Sequence, residues 1–127
     1  MSQYIGTDII EIARIERAIA RWGQRFLHRI YTESELKLYS KKLSSLAARF
    51  AAKEAVIKAF DAPTKGIRWK DIEILSNPGG KPLINLYDKA QNQANSLGLE
   101  RLDVSLSHSR EYAIAFVVGE SRKANLN

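Results

Sequence analysis

The stretch RFAAKEAVIKAF, Arg49 to Phe60, decides how the chain is read. It holds neither Gly nor Pro, and its apolar residues recur at helical spacing, so it predicts one long, largely buried helix running to about Phe60. Ser44 or Ser45 is the expected N-cap. Ala, Phe, Val and Ile would suffice to bury such a helix, yet Lys53 and Glu54 stand in its centre and Lys58 one turn later. A charge at the border of a buried face needs a partner, because an unpaired charge in low dielectric is costly. By helical period Phe50 and Ile57 flank Glu54 on one side and Lys58 on the other, so Glu54 sits where the buried seam meets the wet face. The plain reading is an i,i+4 ion pair worth ~0.3–0.5 kcal/mol. The sharper one is a half-buried carboxylate awaiting a divalent cation, with a lysine beside it for an anionic ligand.

Outward from that helix, YIGTDII (Tyr4 to Ile10) is rich in β-formers and predicts a first strand, with Gly6 a point of close approach. EIARIERAIARWGQRFLHRI is helical by period, with Gly23 placed to split it. TESE, Thr32 to Glu35, is a capping box that starts a further helix at Glu33. After the long helix, WKDIEIL and KPLINLY read as strands joined by the turn SNPGG. DKAQNQANSLG reads as a polar helix stopped at Gly98, and RLDVSLSH with YAIAFVVGE as a closing hairpin. The expectation is a single domain over residues 1–127 of class α+β, β-α(3)-β(2)-α-β(2), with a mainly antiparallel sheet against the long helix and a frayed tail from residue 121. Its 127 residues are enough for a core without staples. The absence of cysteine excludes disulfides, thiolate metal sites and a cysteine nucleophile. No apolar run approaches a membrane span and the N-terminus lacks a leader pattern, so a cytoplasmic protein without membrane partners is expected.

A second carboxylate bears on the first. Asp8 lies among Ile5, Ile9 and Ile10, in a strand where Asp is disfavoured and needs a local reason. A strand-end Asp accepting backbone hydrogen bonds is one such reason. Two isolated carboxylates in a chain with no cysteine and only two histidines also suit a hard, oxygen-seeking ion; Mg²⁺ takes one or two carboxylates and completes its shell with water and phosphate.

IGTD (Ile5 to Asp8) and FAAKEAVIK (Phe50 to Lys58) together resemble the 4′-phosphopantetheinyl transferase superfamily, which carries Gly-x-Asp on its first strand and an aromatic–x–x–Lys-Glu–small–x–x–Lys element later. IGTDIIEIARIE, RFAAKEA, DIEI, GKP and SLSHS extend the likeness over almost the whole chain, to the small trimeric holo-acyl-carrier-protein synthases. The resemblance implies transfer of 4′-phosphopantetheine from coenzyme A to a serine of apo acyl carrier protein, with Mg²⁺ held by Asp8 and Glu54 and 3′,5′-ADP released. Glu54 and Lys58 are then catalytic, and Arg49, Lys53, Lys58, Gly80, Lys81, Pro82, Ser107 and His108 meet coenzyme A. Larger relatives carry a third acid two residues after the aspartate, where this chain has Ile10. It also implies a homotrimer with active sites between subunits. KAFDAPTKGIRW departs from the family's Gly-rich link, replacing glycine with Asp61 and stiffening the loop at Pro63.

The net charge of +6 favours an acidic partner. Arg14, Arg21 and Arg25 form one stripe of the first helical segment; a charge run is usually a solvated face, but this one has a single sign and suits the acidic carrier protein. A small basic nucleic-acid-binding domain is the rival reading, yet the chain has no RNP-type aromatic strands, GxxG loop or basic tail, and no nucleic acid is expected. SLSHS also invites a Ser–His hydrolase reading, which the lack of a G-x-S-x-G elbow weakens.

Overall fold

The computed structural model of the chain describes residues 2–60 and 66–121. Strand β1 (Ser2–Glu11) is followed by helices α1 (Ile12–Trp22), α2 (Gln24–Ile30), α3 (Glu33–Tyr39) and α4 (Leu43–Ala59). Strands β2 (Ile72–Ser76) and β3 (Pro82–Leu86), helix α5 (Asp88–Leu97), and strands β4 (Leu99–His108) and β5 (Tyr112–Ser121) complete the order. The class is α+β as expected, with two antiparallel sheets, β1-β5-β4 and β2-β3.

Four helices rather than three separate β1 from β2. Gly23, at φ +58°, closes α1 through its N–H on the Ile19 carbonyl and starts α2, so one apolar period is carried by two helices. The capping box is formed as read: Thr32 Oγ1 accepts from the Glu35 N–H and Glu35 Oε1 from the Thr32 N–H. Helix α4 begins earlier than expected, at Leu43, with Lys42 at the N-cap and no side-chain cap from Ser44 or Ser45. Trp69–Asp71 is a 3-10 turn rather than strand. Here the Asp71 carboxylate accepts from the Arg68 N–H, and Arg68 Nε and Nη2 also donate to it. Strand β5 continues to Ser121, whose hydroxyl donates to the Leu97 carbonyl at 2.9 Å; residues 122–127 of the expected frayed tail, and Asp61 to Lys65 of the departing loop, lie outside the described residues.

The core is built around α4. Leu46, Ala47, Ala48, Ala51, Ala52, Ala55, Val56 and Ala59 are all buried on it, with Ala113, Ala115 and Val117 of β5 beneath. The alanines let the helix lie close to the sheet, and closest at Gly6 of β1. A Cβ at Gly6 would stand 1.9 Å from the Ala55 carbonyl oxygen and 2.8 Å from the Ala59 nitrogen. Only glycine fits there. Alternation along β1 turns Gly6, Asp8 and Ile10 toward α4 and leaves Ile5, Thr7 and Ile9 on the outer face. Among the described residues no helix is long and apolar enough to cross a membrane.

Candidate active site

The contact of Gly6 with Ala55 fixes where the two acids meet. Asp8 follows Gly6 by one strand repeat on the same face, and Glu54 precedes Ala55 on α4, so both carboxylates reach one cavity of about 280 Å³. Ile10, Arg14, Ile15, Phe26 and Phe50 complete most of its wall. Burial and the Asp8 carboxylate push the Glu54 carboxyl above its ordinary value, against the opposing pull of Lys58. Two like charges sharing a half-buried cavity call for a cation.

Lys58 supplies one. Its Nζ donates to Asp8 Oδ1 at 2.9 Å and to the Thr7 carbonyl at 3.2 Å, so the lysine pairs across to β1 instead of back along its own helix to Glu54. The Asp8 side chain is 17% exposed and that of Lys58 55%, so the ammonium is open to an incoming anion from solvent. Asp8 and Glu54, hard oxygen donors lining one cavity, are the residues that would hold Mg²⁺. Among the described residues no cluster of three or more metal-ligating side chains occurs, and Ile10 occupies the third position with an apolar, buried side chain.

Lys53 sits differently from the expectation that it meets the nucleotide. It is fully buried, and its ammonium donates to Glu35 Oε1 at 2.8 Å, to the Trp69 carbonyl at 3.1 Å and to the Ile72 carbonyl. Burial pushes its pKa down, and pairing with Glu35 opposes that shift. Glu35 in turn accepts from the Ile74 N–H at 2.8 Å. The partner of the central lysine is therefore the capping-box glutamate of α3. Two clues were present in the sequence, a lysine set among alanines and an acid opening an amphipathic helix, but nothing local joined them.

Arg49 is buried as well. Its guanidinium lies 3.6 Å over the Tyr39 ring, with Nε donating to the Ile74 carbonyl and Nη2 to Ser76 Oγ. It thus stands at the foot of the β2–β3 turn. In that turn Gly80 takes φ +89° and donates to the Asn77 carbonyl, the Lys81 N–H donates to Asn77 Oδ1, and Pro82 opens β3. Ser107 and His108 end β4 opposite Ile114 and Ala113, both exposed. The strand β5 lies between them and β1, which puts them about 10 Å from Asp8 at the usual strand spacing. The protomer does not gather them with the carboxylates.

Arg14 joins the carboxylate cavity, and Arg25 lines a neighbouring one of about 360 Å³ with Trp22, Phe26 and Arg29. Phe26 lines both, so the two cavities adjoin in one groove. Arg21 lies 4.9 Å over the exposed Trp22 ring, and the break at Gly23 puts Arg25 on a different helix from Arg14 and Arg21.

The chain is similar to known proteins over most of its length. The family model of the 4′-phosphopantetheinyl transferase superfamily matches residues 4–117. A holo-[acyl-carrier-protein] synthase of Dehalococcoides mccartyi strain 195 is 58% identical, over 92% of this chain and 98% of its own. The crystal structure of the Helicobacter pylori holo-[acyl-carrier-protein] synthase in complex with coenzyme A superimposes with a TM-score of 0.82 at 38% identity, covering 91% of this chain and 99% of that one. A Bacillus anthracis holo-(acyl-carrier-protein) synthase in complex with CoA (3′,5′-ADP) gives a TM-score of 0.74 at 35% identity, covering 93% and 96%. The chain belongs to the holo-[acyl-carrier-protein] synthase family of the 4′-phosphopantetheinyl transferase superfamily.

Proposed function

We propose that the protein transfers the 4′-phosphopantetheine group of coenzyme A to a serine of apo acyl carrier protein, with Mg²⁺, releasing 3′,5′-ADP in the cytoplasm. The observation that carries this is the cavity where Asp8 of β1 and Glu54 of α4 meet with Lys58 bound to Asp8. Mg²⁺ held by the two carboxylates would supply positive charge to the pyrophosphate of coenzyme A. The serine oxygen forms a bond to the β-phosphorus as the pyrophosphate P–O bond breaks. Lys58, bonded to Asp8 and Thr7, balances the charge on the departing 3′,5′-ADP. Glu54, which lines the cavity, is the chain's own candidate to take the serine proton.

Arg49 and the turn at Gly80, Lys81 and Pro82 are assigned to the adenine and 3′-phosphate end of coenzyme A. Ser107 and His108 are assigned to the phosphates of a site on a neighbouring subunit, since β5 separates them from Asp8 within one. A homotrimer with sites between subunits answers that separation. Arg14 and Arg25, which line the groove, and Arg21, which stacks on Trp22 at its edge, are assigned to docking the acidic carrier. The test is conversion of apo to holo acyl carrier protein by the purified chain with coenzyme A and Mg²⁺, followed by mass. A gain of the phosphopantetheine mass that chelation abolishes is expected. No gain, with a gel shift of nucleic acid instead, would favour the basic-domain reading.

A further inference from the structure

The wall of the carboxylate cavity is held from behind by a device whose parts come from four places in the chain. Phe50 lines the cavity one turn before Glu54, and its ring stacks on that of Trp69, with centroids 5.1 Å apart and planes at 25°. Trp69 opens the 3-10 turn that follows the loop, and a 3-10 turn alone holds a side chain poorly. Its carbonyl is fixed by the Lys53 ammonium at 3.1 Å, and the same ammonium holds the Ile72 carbonyl at the other end of that turn. Lys53 is itself pinned by Glu35, which also grips the backbone of α3 at Thr32 and of β2 at Ile74. Two carbonyls bound by one buried ammonium leave the turn a single position.

We propose that Lys53 and Trp69 are positioning residues for the transfer reaction: the buried ammonium locks the 69–71 turn so that the Trp69 ring holds Phe50 against the reacting groups at Glu54. Neither residue lines the cavity. The inference rests on the transferase reading above. It accounts for a charged residue in the most buried part of α4, where an alanine or methionine would pack without the cost of desolvating an ion pair.

The test uses the full chain and two kinds of readout. In kinetics, Trp69→Leu removes the stacking ring without touching the ion pair; kcat falls ~10–100-fold, the scale of misplacing a reacting group by about 1 Å. KM for coenzyme A stays within about twofold, because the ring does not meet the ligand. Trp69→Phe keeps an aromatic face and restores most of kcat. The paired variant Glu35→Gln/Lys53→Met removes both buried charges together and so avoids an orphaned carboxylate; it reproduces the kcat loss. The second readout does not depend on activity. Trp22 and Trp69 are the two tryptophans, so Trp22→Phe leaves Trp69 as the sole indole, and the paired variant in that background shows greater acrylamide quenching. Wild-type kcat in Trp69→Leu overturns the proposal, and so does unchanged Trp69 quenching in the folded paired variant. If the paired variant does not fold, Trp69→Leu and its rescue by Trp69→Phe decide alone. An inactive wild-type chain with the quenching change intact would instead count against the transferase reading.

Discussion

At the scale of single residues, the site depends on what each carboxylate is paired with. Glu54 faces Asp8 across the cavity and takes no hydrogen bond from a side chain among the described residues, whereas Asp8 has the Lys58 ammonium. Replacing Glu54 by Gln keeps its shape and removes its charge. Transfer activity should fall more than ~100-fold, beyond the ~10–100-fold typical of groups that only orient a metal ligand. The melting temperature should hold or rise, since a repulsion with Asp8 is relieved; a Glu54→Gln protein with near-normal turnover would remove this residue from the mechanism. Glu73 of β2 shows the opposite behaviour. Burial would raise its pKa, but hydrogen bonds from Thr32, Asn85 and Tyr87, with the charge of Lys53, outweigh that and hold the carboxyl below its ordinary value of 4.5. A folded pKa below the unfolded one gives stability that is full above the unfolded value and is lost as pH falls through the folded one. Urea unfolding from pH 3 to pH 7 should therefore show a wild-type advantage over Glu73→Gln that is constant near neutrality and shrinks below about pH 4.5. A gap that does not change with pH would mean that Glu73 acts through packing alone.

At the scale of elements, the site exists because α4 lies directly on β1. Gly6→Ala would drive a methyl into the Ala55 carbonyl and the Ala59 nitrogen, both backbone atoms that side-chain rotation cannot move. Overpacking typically costs ~1–3 kcal/mol, and the 1.9 Å approach puts this substitution at or above the upper end. Because relief requires α4 to lift away from β1, it should also separate Glu54 from Asp8. Activity, measured where the variant remains folded, should fall further than the unfolded fraction explains; a variant with normal melting and normal turnover would contradict the packing. Much of this element structure was legible in the sequence. The capping box at Thr32 and Glu35, the stop at Gly98, the close approach at Gly6 and the long buried helix are all local patterns, and each was formed. Pairings across the chain were not legible. Lys58 has Glu54 as its sequence neighbour at i,i+4 but bonds to Asp8, 50 residues away, and Lys53 bonds to Glu35, 18 residues away. Helical period says which side of α4 a residue takes, and says nothing of what another element brings there. The 3-10 turn at Trp69 was missed for a related reason: its Lys-Asp pair sits inside an apolar run of strand type, and only the buried Asp71 carboxylate on the Arg68 N–H distinguishes it.

At the scale of the whole molecule, two surfaces remain to be accounted for. The first is basic. Arg14, Arg21 and Arg25 are exposed along α1 and α2, beside the groove shared through Phe26. Reversing two of them, Arg14→Glu with Arg21→Glu, should raise KM for the carrier protein by about tenfold, ~1.4 kcal/mol, through lost electrostatic steering. KM for coenzyme A should change little, and salt should weaken wild-type docking more than it weakens the variant's. Equal salt slopes would detach these arginines from carrier binding. The second surface is apolar. Register places Ile9 opposite Ile114, Thr7 opposite Phe116 and Glu11 opposite Tyr112 on the side of the sheet away from α4. There Ile5 is 55% exposed, Ile9 58%, Ile114 41%, Phe116 45% and Tyr112 43%. Contiguous apolar area of this kind on a sheet marks an association surface. Ser107 lies on this same outer face, opposite Ile114, so a subunit covering the face would approach the end of β4. Phe116→Asp puts a charge in the middle of it, paired with Thr7 but on the face of the sheet opposite to Asp8. If subunits close their sites across this face, sedimentation should show the variant as a monomer, and its transfer activity should fall with its assembly although Phe116 does not line the carboxylate cavity. A variant that stays trimeric would place the interface elsewhere, and a monomer of full activity would show that each chain carries a complete site without its neighbours.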